Sequence, residues 1–429
     1  MSQHVTPKPK LGLRFHRLIL SSGFANLADG IGVVAWPWLA SLITRDPLAI
    51  ALVGVAQKLP WFLFALPSGV IADRFDRRRI VAAMDFARFF ALMGFAAAML
   101  IPGLLPVAPE EGFPLDLLYG LMLLSALIVG FCEVLRDNSA VTLLPAIVPQ
   151  ERLEGANGRL GSVEIVMNMM IGPPLAGVLI GLALPFAFGL YGIAFAFAGL
   201  LVLSIPGRYR TERAVKRHWV SEIGEGAAFL FARPLLRDLA FSLGIYNAVE
   251  SMMMIALVLY AQEVMGLNAA QYGLLLTSLA AGGLVGGVFG EAIIARLGAS
   301  VALRLGIVTC GLFALVTLLC PYAILVWIIL FVASVAAMVW NIITLSLRQR
   351  VVPPHLLGRV SSVYRFFGLG TLPLGVLISG LSVSVAETLM PRPLALAAPF
   401  AIGAVMSVLL LAVMWRRVAP QALAEFRPA

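Results

Sequence analysis

Apolar residues come in long unbroken runs along this chain, separated by short polar stretches. The pattern is neither the alternation of a half-buried strand nor the one-sided stripe of a soluble helix. A run of about 20 apolar residues is the length of helix that crosses the hydrocarbon of a bilayer. Such runs fall at 18–43, 48–72, 79–101, 115–137, 158–181 and 185–206, and again at 238–262, 270–295, 300–320, 322–346, 360–386 and 394–415. They predict an all-α membrane protein with twelve transmembrane helices. Connections as short as Thr44-Arg45-Asp46-Pro47 make neighbouring spans antiparallel. The first run is too long for a signal-peptide core and lacks a convincing cleavage site, so it reads as a retained span.

Composition sharpens this. Of the 429 residues 61% are hydrophobic and 12% charged, with a mean hydropathy of +0.97. Soluble globular proteins carry about 25% charged residues. A soluble enzyme, a disordered chain and a fibrous repeat are therefore excluded. The net charge of +9 would suit a nucleic-acid binder, but its distribution argues otherwise. With both termini on one side, only Arg45 and Arg392 of the 31 Lys and Arg fall in segments on the other, while Lys58 and Arg88 lie within spans. Basic loops on every second connection are the mark of a cytoplasmic face, so both termini are expected in the cytoplasm and no nucleic-acid partner is expected. The longest basic segment divides the chain into an N-terminal tail (1–17), a six-helix bundle (18–206), a basic linker (207–237), a second six-helix bundle (238–415) and a tail (416–429). The halves look alike: IVPQERLEGANGRLGS precedes IGPPLAG in the first, and VVPPHLLGRVSS precedes LGTLPLG in the second.

Ionisable residues inside the spans are the main chemical signal, because a charge at the bilayer centre costs roughly 2.5–3.5 kcal/mol on insertion scales. Asp29, Lys58 and Glu250 lie near mid-depth; Asp85, Arg88, Glu133, Arg136, Asp137 and Glu164 lie in the cytoplasmic third. Ser22, Asn26 and Asp29 form one stripe of the first span, and Gly161, Glu164, Asn168 and Gly172 one of the fifth. Asn247 and Glu250 share a face of the seventh, and Asn341 of the tenth completes the cavity set. A carboxyl group in an apolar bundle can take and release a proton near neutral pH. Protonation removes the charge a cationic or polar substrate would pair with, so proton and substrate exclude each other. Asp29 is the first choice for this coupling, then Glu250 and Glu164; a structural hydrogen bond between helices is the competing account of each. Lys58 is expected to neutralise Asp29 or to attract an anionic substrate. Asp85 and Arg88, three apart, can pair locally. Trp36, Trp38, Trp61, Phe62, Phe64 and Trp340 supply aromatic surface for a lipophilic substrate, or simply packing. The glycines of AAGGLVGGVFGE recur at i+4 in the eighth span, a close-packing face suited to sliding or rocking. Cys132, Cys310 and Cys320 sit in apolar runs, and the four histidines are scattered, so neither a metal site nor a disulfide frame is expected. No HExxH, GxSxG, CxxC or P-loop occurs, and the chain is not expected to be an enzyme.

The loop GVIADRFDRRR resembles the signature G-x-x-x-D-R-x-G-R-R of the major facilitator superfamily, with Asp76 in place of a Gly. The second half holds a degraded copy, GEAIIARLG. The resemblance implies a major facilitator fold of two pseudo-symmetric halves. It also implies a cytoplasmic gate at Gly69, Asp73, Arg74, Arg77 and Arg78, with which Glu133, Arg136 and Asp137 are grouped. A plain positive-inside anchor is the alternative reading of those arginines. GPPLAG resembles the G-P-x-x-G-G element of the superfamily's exporters and implies helix packing at Gly172, Pro173 and Gly177. NLADGI, VWNIITLSLRQRVVP and LGRVSSVYRFFGLGTLPLG resemble the drug:proton antiporter branch that includes enterobactin exporter-like proteins. The expected function is proton-coupled efflux of an amphipathic small molecule, such as a drug or siderophore, from a bacterial inner membrane. The expected partners are that substrate, protons and membrane lipid; the expected state is a monomer with no cofactor beyond the proton gradient. An uptake symporter or facilitator, a lipid-handling relative, and a receptor or scaffold that does not transport stay open.

Overall fold

The computed structural model describes residues 12–106, 108–109, 112–209 and 219–420, with backbone alone at 65–67, 69–74, 151, 154, 219–223 and 354–355. Twelve of the described helices are long and apolar enough to cross a membrane. In the first half they are α1 (Leu13–Ile43), α2 (Pro47–Arg74), α3 (Arg77–Met99), α4 (Leu117–Ile147), α5 (Gly155–Leu182) and α6 (Leu184–Leu203). In the second they are α7 (Pro234–Glu263), α8 (Ala269–Leu297), α9 (Ala299–Leu319), α10 (Ala323–Val351), α11 (Leu356–Glu387) and α12 (Arg392–Arg417). A linker helix, Trp219–Ala232, precedes α7. The chain is a multi-pass membrane protein: in hydrocarbon each backbone amide must bond within its own helix or barrel, and these segments do so as helices.

Several helices outrun the apolar runs. The run at 115–137 ends at a cluster of charges, yet α4 continues to Ile147; 322–346 ends short of Arg348 and Arg350, yet α10 continues to Val351. Hydropathy marks where hydrocarbon ends, whereas helix hydrogen bonding continues into the polar layer. The starts are fixed locally. Asp76 accepts from the backbone N–H groups of Arg78 and Arg79 and so caps α3. Asp116 caps α4 through Tyr119 N–H, and Asn268 and Gln271 form a capping box on α8.

Glycines set where helices cross. A Cβ at Gly30 of α1 would lie 2.3 Å from the Asn168 carbonyl of α5, and one at Gly172 would lie 2.5 Å from Gly30 Cα. Gly282, Gly286 and Gly290 of α8 meet Phe331, Met338 and Ile342 of α10 in the same way. That stripe therefore packs two helices of one half together; it is not a face along which the halves slide.

The halves are joined on one face and parted on the other. An even number of spans puts residues near 13 and near 417 on one face, here the terminal face; the opposite one is the distal face. Toward the distal face a single apolar core crosses both halves, from Ile31, Trp38 and Leu39 to Leu257, Tyr260 and Tyr272. There Gly177 meets Ala269, Gly273 meets Pro173, and Gly380 meets Leu48 and Ala51. Arg45 donates to Gln262 Oε1 at 2.7 Å and pairs with Glu263 at 3.5 Å, Gln262 donates to Ser41 Oγ at 2.6 Å, and Arg392 Nη2 donates to the Arg45 carbonyl at 2.8 Å. Glu263 also grips Arg392 through two contacts, at 2.7 and 3.0 Å. Toward the terminal face the cores separate. Phe15, Leu18, Leu143 and Ile205 pack within the first half, and Leu235, Leu303, Leu347 and Met414 within the second. A cavity of about 730 Å³ opens between them. The chain is thus closed distally and open on its terminal face.

Candidate functional site

A chain of buried charges runs across α1, α3 and α4. Arg88 is fully buried; it donates to Asp29 Oδ1 at 3.1 Å and to Asp85 Oδ1 at 3.0 Å. Its guanidinium also lies 3.9 Å over the Phe195 ring. Arg136 reaches the same Asp85 oxygen at 3.1 Å and Asp137 at 3.2 Å. A buried guanidinium is tolerable only when its fork of donors is met by carboxylates, and two of its neighbours supply them. Three carboxyl groups share two guanidinium groups, so full ionisation leaves one surplus negative charge. Asp85 is sealed from solvent, whereas the Asp29 and Asp137 side chains are 20% and 39% exposed. Asp29 opens onto a central cavity of about 300 Å³, and Asp137 onto the larger terminal-face cavity.

The central cavity lies between the halves. Asp29, Gln57, Lys58, Glu133 and Asn168 line it from the first half, and Ser251, Met254 and Leu372 from the second. Asn168 sits in a π-helical stretch of α5, Ile165–Ile171. The sequence explains that widening: Pro173 and Pro174 carry no N–H, and the Gly172 N–H reaches back five residues to the Met167 carbonyl. Trp61 Nε1 donates to Glu133 Oε1 at 3.2 Å. Trp36 lines this cavity while stacking on Phe95.

Other expected site residues fall elsewhere. Asn26 donates to Ser22 and, with Glu164, lines the terminal-face cavity. Asn247, Glu250 and Asn341 line a separate cavity of about 370 Å³ inside the second half. Asn247 donates from there to the Gly368 carbonyl at 2.9 Å. Asp29 and Glu250 therefore do not share one pocket, although both lie at mid-depth. Lys58 lines the Asp29 cavity but does not neutralise Asp29; Arg88 does, from α3, which packs against α4 and α6. Among the described residues Lys58 forms no ion pair.

The grouping of Glu133, Arg136 and Asp137 with the gate also changes. Arg136 ties α4 to α3 through Asp85, and Glu133 faces the central cavity; among the described residues none of the three bonds to the second half. Arg77 donates to the Thr142 carbonyl and Arg78 to the Ile205 carbonyl, both within the first half. The side chains of Gly69, Asp73 and Arg74 lie outside the described residues. Asp76, which replaces the signature's Gly, caps α3 and also accepts from Tyr209 N–H at 3.3 Å. Gly172, Pro173 and Gly177 all stand at helix contacts, the last two at α8 of the other half. Sequence reasoning missed Arg365. It counts among the basic residues of the terminal face, yet it lines both the terminal-face cavity and the cavity holding Glu250. Its place inside the start of the eleventh apolar run was the available signal.

Residues 18–372 match the family model of the Major Facilitator Superfamily. The multidrug efflux pump Tap of Mycobacterium tuberculosis is 28% identical over 423 residues, covering 94% of this chain and 95% of that protein. The enterobactin exporter EntS of Escherichia coli is 24% identical over 357 residues, covering 82% and 80%. The family and both relatives are transporters, not enzymes. Among solved structures, a bacterial homologue of the iron transporter ferroportin in its inward-facing state superposes with a TM-score of 0.75 at 18% identity, covering 96% of this chain and all of that one (100%). An outward-facing structure of such a homologue gives 0.60 at 19% identity, covering 94% and 99%.

Proposed function

The chain belongs to the Major Facilitator Superfamily, and on that premise we propose that it exports an amphipathic small molecule by alternating access, driven by protons exchanged at Asp29. The observation that carries this reading is Asp29 itself. It is a carboxylate held by a buried arginine on one side and open to the cavity between the halves on the other. A proton on Asp29 cancels the network's surplus charge, and Arg88 keeps Asp85 as its partner at 3.0 Å. Deprotonation restores a negative charge facing the cavity. Proton and substrate then compete for one electrostatic state of the site, which is the condition for antiport. The efflux pump and siderophore exporter named above support the outward direction. The basic loops support a bacterial inner membrane with both termini in the cytoplasm. In that orientation the present state faces inward, and the GVIADRFDRRR loop would close the terminal face in the alternate state.

The test uses inverted membrane vesicles from an efflux-deficient host, acidified inside, with a lipophilic cationic dye as reporter. Wild-type protein should drive dye uptake that collapses with a protonophore, and each burst of uptake should release protons. Asp29→Asn should lose the response to the gradient while remaining folded. Gradient-driven uptake by Asp29→Asn equal to wild type would refute the assignment.

A further inference from the structure

The cavity inside the second half is built for a ligand of its own. It encloses about 370 Å³, within the range of small-molecule sites. Glu250 and Arg365 both line it, one carboxylate and one guanidinium, and among the described residues neither forms an ion pair or hydrogen bond, with each other or with anything else. Glu250 is half-buried and Arg365 exposed, so both charges are open to a ligand that enters this space and offers the opposite pair. Tyr246 and Trp340 form aromatic walls. A Cβ at Gly306 would come within 3.1 Å of the Trp340 indole Cε3, so bare backbone is what admits the ring. Arg365 and Leu369 also line the terminal-face cavity, so they stand at the passage between the two spaces.

We infer that this cavity is a binding site for an amphipathic zwitterion, a protonated amine and a carboxylate on one apolar body. Glu250 is the counter-ion of the amine, Arg365 of the carboxylate, and Trp340 and Tyr246 hold the apolar body. The inference rests on the export reading for its role in transport but not for its measurement. A ligand entering from the terminal-face cavity meets Arg365 first and then Glu250. The Asp29 network lies in the other half, so this site holds a ligand apart from the central cavity where proton and substrate compete. The aromatic walls and single polar groups make the site tolerant of ring structure and strict about charge pattern.

The experiment measures equilibrium binding to the purified full chain in detergent, without any gradient. The probes are norfloxacin, which carries both charges, its methyl ester, which keeps only the amine, and its N-acetyl derivative, which keeps only the carboxylate. Wild-type protein should bind norfloxacin at least tenfold more tightly than either derivative. Glu250→Gln should erase the preference over the N-acetyl derivative, and Arg365→Gln the preference over the methyl ester. Each variant should keep a wild-type melting temperature and elution profile. If the wild type fails to bind norfloxacin or binds all three alike, or if a folded variant keeps the preference it should lose, the inference is overturned. A negative result here leaves the proton assignment at Asp29 standing, and an unaltered proton response in Asp29→Asn leaves this site standing.

Discussion

Replacing Arg88 by methionine tests the buried network most directly. Methionine keeps much of the side-chain length and can still contact the Phe195 ring through sulfur, so the change removes charge more than volume. It deletes the donor to Asp29 at 3.1 Å and the donor to Asp85 at 3.0 Å. Asp85 keeps Arg136 at 3.1 Å, so its loss is partial. Asp29 loses its only ion-pair partner among the described residues, but its side chain is 20% open to the central cavity and can be hydrated there. Removing one member of a buried pair costs about 3–5 kcal/mol; with one carboxylate still paired and the other partly wet, we expect the lower end, about 3 kcal/mol. Reversible unfolding by titration with sodium dodecyl sulfate in mixed micelles reads this value. The double variant Asp29→Asn/Arg88→Met should recover part of the loss, since the one carboxylate left at the gap, Asp85, keeps Arg136, and the coupling between the two changes should exceed 1 kcal/mol. A loss below about 1 kcal/mol, or strict additivity of the two changes, would refute the view that Arg88 is held in place by Asp29 and Asp85.

Three other perturbations probe the fold and its two states. Arg45→Gln removes the 2.7 Å bond to Gln262 and the 3.5 Å pair with Glu263, both between halves. It should favour the distally open state by about 1–2 kcal/mol, a five- to thirtyfold population shift. Spin labels at Leu115 and Leu389, both exposed, should report longer distances in Arg45→Gln, with Cys320 replaced; an unchanged distribution counts against the clasp. Gly30→Val puts a Cβ against the Asn168 backbone, 2.3 Å away in the present geometry; it should destabilise by about 3 kcal/mol, visible as a lower melting temperature. Cys320 is exposed beyond the end of α9, while Cys132 and Cys310 are buried. A membrane-impermeant maleimide should label it in spheroplasts and not in sealed inverted vesicles; the reverse would invert the proposed topology.

The spans were legible because hydrocarbon imposes one rule on every residue that crosses it. The Asp85–Arg88 pair was legible too, since three positions along a helix fix the distance without knowledge of the fold. The Arg88–Asp29 bond was not, because it joins side chains 59 residues apart and depends on how α3 packs against α4 and α6. Lys58, nearer along the chain, looked the better partner. Asp29 and Glu250 share a depth, which hydropathy reports, but occupy different cavities, which only helix rotation decides. The π-helical turn at Asn168 had its cause written plainly in the two prolines that follow. Arg365 was hidden by the reasoning that located it: counted as one of many charges on a basic face, it lost its identity as a single side chain in a cavity.

Arg45 and Arg392 also bear on how the protein is made. In the proposed orientation the loop carrying Arg45 must cross the bilayer early in synthesis, against the general preference for cations to stay behind. Its acidic counterweight, Glu263, is 218 residues further along the chain. Until the ribosome has delivered α7, the newborn first bundle carries an unanswered positive charge on its far rim. The two bundles are thus bound in order of birth as well as in space, and the first is finished only when the second has begun to arrive.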